Sequence, residues 1–177
     1  VVELARQHDW LVLQETHGER GSERFLEELL GTSYRCFWNY SPGRPGAGGT
    51  GIIVKQSFLT SFTSVAYLEV CPGRVDSLCL RGSLGVLVLF NVHVEPLLTA
   101  DERIDLFNSF KRHPHFVQGA HIVLIGDFNS DTESFDRVDC STGRFTGLPL
   151  KDYLHFVDCF ADFTELHQDD FTHCTRT

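Results

Sequence analysis

The sequence predicts an α+β fold, a two-sheet β-sandwich flanked by helices, and three observations carry that prediction. Strand-like and helix-like patterns alternate along the whole chain, with no low-complexity linker and no internal repeat. Between residues 63 and 95, three consecutive strand-like runs are separated only by tight-turn signals, which makes an antiparallel meander. Elsewhere, apolar strand runs are tied to amphipathic helices in strand-helix-strand order. Meanders combined with such units give two sheets packed face to face with helices outside. A length of 177 residues, 42% of them hydrophobic and 22% charged, suits one domain with a real core, so residues 1–177 are expected to form a single domain.

Each element has a local reason. Residues 1–9 read as an amphipathic helix that leads into the apolar strand Trp10-Leu-Val-Leu-Gln14, which ends in Glu15. Ser22 opens a short helix whose Phe25, Leu26, Leu29 and Leu30 share one face, and Gly31 closes it, as glycine favours a helix C-terminus. YRCFWNY and GIIVKQ then form a long hairpin around SPGRPGAGGT, a stretch too rich in Gly and Pro to be regular. TSVAYLEV, RVDSLCLRG and GVLVLFNVHVE are the meander strands, turned by Pro72-Gly73 and by Gly82-Ser-Leu-Gly85. Thr99 and Glu102 make a capping box. Ile104, Phe107 and Phe110 follow at helical spacing until Pro114 stops the pattern. HIVLIGDFN is a buried strand. From Ser130 onward the chain reads as loop, with short helical stretches at 150–155 and 157–166.

Composition excludes several classes. No window is apolar enough for a membrane helix, and VVELARQHDW has neither the charged start nor the apolar stretch of a signal peptide. The expectation is a monomeric intracellular chain with no membrane partner. Six cysteines are scattered without a C-x-x-C pair, which favours buried thiols over disulfides or a zinc site. A net charge of -9, from 15 basic against 24 acidic residues, argues against tight non-specific nucleic-acid binding. An acidic cleft that holds a divalent cation offsets part of that objection, because the ion supplies positive charge to a substrate phosphate.

Four polar residues share one setting, at or just past the C-terminal end of an apolar strand: Glu15, His93, Asp127 and Asn129. Strand ends of a sandwich cluster at one rim, where these side chains can converge. Singly, each has a plain reading: a solvated acid, a half-buried histidine, and an Asp-Phe-Asn turn. Together they supply what metal-assisted phosphoryl hydrolysis needs. One carboxylate holds Mg²⁺, a second orients water, and an imidazole and an amide hold phosphate oxygens.

The wording of these segments, Leu13-Gln14-Glu15-Thr16, Gly49-Thr50-Gly51-Ile52-Ile53-Val54, Asn91-Val92-His93 and Gly126-Asp127-Phe128-Asn129, resembles the endonuclease/exonuclease/phosphatase superfamily over nearly the whole chain. The resemblance implies a four-layer α/β/β/α, DNase I-like fold. It implies Glu15 as ligand of Mg²⁺ (or Mn²⁺), His93 near the scissile phosphate, Asp127 positioning water and Asn129 on a phosphate oxygen. The superfamily also has an Asn on a first strand, and a late Asp and closing Ser-Asp-His on its last strands. The 177 residues hold none of these, so the expectation is an incomplete domain. The expected activity is endonucleolytic cleavage of DNA, as in abasic-site or retrotransposon endonucleases, with a nuclear location in that case. One alternative is a phosphodiesterase or phosphatase acting on a lipid head group, inositol phosphate or nucleotide. A catalytically dead scaffold is another.

Two motifs are set aside. Gly46-Ala-Gly48-Gly-Thr-Gly51 matches a dinucleotide-binding fingerprint, but a strand pattern rather than a helix follows it. His113-Pro-His115 suggests a metal pair, yet it has no Cys or carboxylate beside it and reads as surface loop. Arg44, Arg74 and Arg81 lie in or near loops flanking the strands, placed to meet a phosphate backbone.

Overall fold

A computed structural model of the chain describes residues 1–21, 23–43, 47–129, 137–139, 144–145 and 173–175. Contacts divide it into two compact units, Val1–Glu95 with Phe110–Phe128, and Pro96–Ser109 with Asn129–Thr177. The first unit holds α1 (Val2–Gln7), β1 (Trp10–Gln14), α2 (Arg24–Leu30), β2 (Tyr34–Asn39), β3 (Thr50–Lys55), α3 (Gln56–Leu59), β4 (Ser64–Cys71), β5 (Val75–Gly82), β6 (Gly85–His93) and β7 (His121–Asp127).

Its strands form two sheets. One is antiparallel in the order β1-β3-β2, and the other has the order β4-β5-β6-β7, in which β7 runs parallel to β6. Successive side chains of a strand point to opposite faces, and the apolar residues obey that period of two. Phe37, Ile52 and Val54 of the first sheet pack on Leu78, Leu80 and Leu89 of the second, with Trp10, Val12, Val65 and Tyr67 around them. The intervening residues Leu11, Leu13, Cys36, Trp38 and Ile53 face outward, where Ala5 of α1 and Leu26 and Leu30 of α2 cover them. On the outer side of the second sheet, Phe90 lies against Phe110, His113 and Phe116. Both sheets are therefore covered on both faces, as the predicted sandwich requires.

Several local readings hold for stated reasons. Gly31 ends α2 with φ +66, an angle glycine adopts without strain. In the second unit, Thr99 and Glu102 exchange capping hydrogen bonds at the start of α4 (Ala100–Lys111), which contributes Ala100–Ser109 to that unit. Other readings need correction or fall outside the described residues. The short helix α3 follows β3 directly, where the sequence pattern shows only a strand. His113-Pro-His115 is not a surface loop: His115 is buried, and its Nδ1 lies 2.8 Å from Ser77 Oγ on the outer face of β5. The segment from Ser130 onward, whose pattern reads as loop with short helical stretches, carries short strands β8 (Arg137–Asp139), β9 (Arg144–Phe145) and β10 (His173–Thr175) in a sheet of order β10-β8-β9. Ser22, Arg44 and the helical readings at 150–155 and 157–166 lie outside the described residues.

The inner face of the sandwich changes character along its length. Toward the C-terminal ends of β1 and β6, the apolar residues give way to Gln14, Asn39, Thr50, Asp76 and Asn91; all but Gln14 are fully buried. The Asn91 amide donates to Leu13 O and Gly51 O at 3.1 Å each, and its Oδ1 accepts from Gln14 Nε2 at 2.7 Å. Asn39 does the same for the turn before β5: it donates to Thr50 Oγ1, Cys71 O and Val75 O and accepts from Gly73 N. A buried amide is tolerated only when satisfied, and these two close nearly all their valences across the sheets.

Asp76 is different. It is the cross-strand partner of Asn91, and neither carboxylate oxygen has a partner in hydrogen-bond geometry, although Thr50, Tyr67 and Asn91 surround it. Burial pushes its carboxyl from 3.8 up to about 7, against the smaller opposing pull of those three neighbours. The folded chain thus holds a proton there that the unfolded chain releases near pH 4. The stabilising effect of protonated Asp76 is full below that pH and declines up to about pH 7, by at most roughly 1.4 kcal/mol per pH unit. Urea titrations from pH 4 to 8 should show this decline in the wild type and a flatter profile in Asp76→Asn. Equal pH dependence in both would refute the assignment.

Candidate active site

Beyond the polar row, β1 and β6 deliver Glu15 and His93 to one place. β1 ends at Gln14, and the ladder with β3 is prolonged by Thr16 N donating to Gly49 O (3.1 Å) and His17 N to Gly48 O (2.9 Å). This grip holds Glu15 at φ +51 and His17 at φ +50. Among the described residues, the non-glycine residues with positive φ are these two and Asn129, at φ +45. Left-handed backbone at a glutamate costs on the order of 1 kcal/mol or more and persists only where surrounding structure enforces it, which marks functional turns.

Glu15 reaches into solvent from this turn, with 55% of its side chain exposed. Its Oε1 lies 3.5 Å from His93 Nε2, and its Oε2 lies 3.7 Å from His17 Nε2. His93 is buried and is the register partner of Asp127 on the parallel strand β7; Val94 N donates to Asp127 O just beyond. Gly126 makes that approach possible, because a Cβ there would overlap the Val92 carbonyl oxygen.

The structure also supplies a residue that the sequence placed only loosely. Arg74, in the turn before β5, donates Nη1 to His93 Nδ1 at 3.0 Å and pairs through Nη2 with Glu95 at 2.9 Å. An arginine can only donate, so His93 Nδ1 accepts and the ring proton sits on Nε2. That Nε2 is buried without a hydrogen-bond partner and faces the Glu15 side. Burial first, and the Arg74 charge second, hold the imidazole below its usual pKa, while Glu15, Asp127 and Glu95 pull the other way. The arrangement is an imidazole with one spare N–H donor beside the Glu15 carboxylate, backed by a guanidinium.

Three of the four residues singled out in the sequence are thus brought together: Glu15, His93 and Asp127. Asn129 belongs to the second unit, where its carbonyl oxygen accepts from Arg103 Nη1 at 3.0 Å. Sequence reasoning missed Glu95 and the supporting amides Gln14, Asn39 and Asn91. The signal for the amides was a polar residue at an inward-facing position of an otherwise apolar strand. Arg81 is exposed on the far side of β5, beside His115. An apolar groove of about 310 Å³ along the edges of β1 and β7, lined by Trp10, Leu11, Val12, Gln14, Ile125 and Gly126, holds none of these charged groups.

Among the described residues, no group of three or more His, Cys, Asp or Glu side chains converges as a closed metal site. The donor chemistry instead fits a hard cation such as Mg²⁺. Such an ion keeps several waters and takes one or two carboxylates, and Glu15 is an exposed oxygen donor of that kind.

The model of the Endonuclease/Exonuclease/phosphatase family matches residues 1–175. The chain belongs to that family. Among solved structures it is similar to the AP endonuclease LMAP of Leishmania major, with TM-score 0.67 and 17% identity over 89% of this chain and 58% of that one. It is similar also to the catalytic domain of APE2 from Xenopus laevis, with TM-score 0.59 and 16% identity over 87% and 60% of the two chains. The endonuclease domain of TRAS1, a telomere-specific non-LTR retrotransposon, gives TM-score 0.56 and 10% identity over 90% and 60%. These structures share the two-sheet, helix-flanked fold described above, and this chain spans about 60% of their length. No curated protein sequence matches it.

In this family member, the geometry of Glu15 and His93 depends on Asn91, which anchors β1 and β3 to β6. Asn91→Ala leaves Leu13 O, Gly51 O and Gln14 Nε2 without that partner, so it should destabilise the fold by about 2–4 kcal/mol in denaturant titration. A loss under about 0.5 kcal/mol would show that the amide bridge does not hold the sheets in register.

Proposed function

We propose that this chain is the core of a metal-dependent phosphodiesterase whose substrate is DNA. The single observation that carries this reading is His93. A buried, neutral imidazole presents an unpartnered Nε2–H at the same lip as the Glu15 carboxylate, with Arg74 fixed behind it. Such a donor suits a phosphate oxygen as charge develops on it.

Bound at Glu15, Mg²⁺ would polarise the phosphate and offset its charge. The chain's own residues do the rest. Arg74 fixes the His93 tautomer and adds positive potential behind the phosphate. His93 donates from Nε2 to a non-bridging oxygen. Asp127, an exposed carboxylate at the end of β7, orients and deprotonates the attacking water. DNA is favoured as substrate because the AP endonuclease, APE2 and TRAS1 structures share this fold, and a divalent ion would offset part of the objection raised by the net charge.

The test is nicking of supercoiled plasmid with and without Mg²⁺, using the wild type, Glu15→Gln and His93→Ala. Mg²⁺-dependent nicking should fall by about 10²-fold or more in each variant. Calorimetry should show weaker Mg²⁺ binding in Glu15→Gln alone. Undiminished nicking in both variants, or equal Mg²⁺ affinity in wild type and Glu15→Gln, would reject the assignment.

A further inference from the structure

Glu95 is an acid in a place where phosphate binding favours a base. It lies just past β6, two residues beyond His93, and its carboxylate pairs with Arg74 Nη2 at 2.9 Å. Arg74 is mostly buried, and its other terminal nitrogen is on His93. An arginine devoted to a phosphate usually presents a free fork for bidentate contact. Here one arm is already matched by a carboxylate. Together with Glu15 and Asp127, Glu95 brings three carboxylates to bear on His93 against the one guanidinium of Arg74.

We propose that Glu95 is a specificity-determining residue, which sets the charge of the site so that a phosphodiester is accepted over a phosphomonoester. The inference rests on the phosphodiesterase reading above. A phosphodiester carries one negative charge, whereas a monoester carries nearly two above its second pKa near 6. Every carboxylate at the site opposes the second charge as well as the first. Removing the charge of Glu95 therefore helps a dianion twice as much as a monoanion. The ratio of the two activities isolates this effect, because altered folding or metal occupancy changes both substrates alike. At a separation of several ångströms near the protein surface, one unit-charge interaction corresponds to a change on the order of tenfold after solvent screening.

The experiment compares kcat/KM for bis(4-nitrophenyl) phosphate and 4-nitrophenyl phosphate at pH 8 with Mg²⁺, in the wild type, Glu95→Gln and Glu95→Asp. The diester preference should fall on the order of tenfold in Glu95→Gln and persist in Glu95→Asp, which keeps the charge. If Glu95 serves only as a hydrogen-bond acceptor that props Arg74, the Gln variant keeps the wild-type preference, and the proposal is overturned. Binding of inorganic phosphate against dimethyl phosphate, followed by NMR, gives a second readout that needs no turnover. Glu95→Gln should tighten inorganic phosphate selectively, and equal changes for both anions contradict the proposal. Should the wild type hydrolyse neither ester, the phosphodiesterase reading fails, while the two binding constants still decide the role of the Glu95 charge.

Discussion

The satisfied amide of Asn91 is the interaction on which the rest of the candidate site depends. It is one side chain on β6, yet it closes hydrogen bonds to the β1 backbone at Leu13, the β3 backbone at Gly51 and the side chain of Gln14. Glu15 follows Gln14 directly, and His93 lies two residues beyond Asn91 on the same inward-facing side of its strand. The 3.5 Å separation of Glu15 and His93 is therefore set by a bridge one layer deeper in the sandwich. Apolar packing alone, as among Ile52, Val54, Leu78 and Leu89, is non-directional and leaves strand ends free to slide by a fraction of a residue. Directional hydrogen bonds placed where the core ends remove that freedom.

The same logic runs through Asn39, which ties β2 to the turn carrying Gly73 and hence Arg74. Asn39 and Asn91 thus support the two halves of the constellation, the arginine turn and the carboxylate turn. The left-handed backbone at Glu15 and His17 is held between them by the Gly48 and Gly49 carbonyls. Strain at the lip is sustained because Asn39 and Asn91 in the layer beneath are hydrogen-bonded across the strands. Asp76 is the exception in that layer, a carboxyl that burial pushes up to about 7 at the cross-strand position beside Asn91.

Much of this was legible in the sequence. The strands announced themselves by alternation and turn chemistry, and Glu15, His93 and Asp127 stood out because a charged or basic residue ended an apolar run. What was not legible is of three kinds. Sequence pattern does not reveal which strands become neighbours, so the meeting of Arg74 with His93 and Glu95 could not be read from loops alone. A buried histidine looks like a surface one when its partner, Ser77 for His115, lies 38 residues away. Past Asn129, short strands such as Arg144–Phe145 carry too few residues to show a period.

The proposed function calls for a divalent ion at the lip where Glu15 meets His93, on the inner side of the second sheet. Mn²⁺ added to the chain in substoichiometric steps, with histidine ring signals followed by NMR, tests it most directly. The account predicts that His93 and His17 broaden at the lowest additions. His115, on the outer face of the same sheet against Ser77, should stay sharp. Broadening of His115 ahead of His93, or of all histidines together, would contradict it.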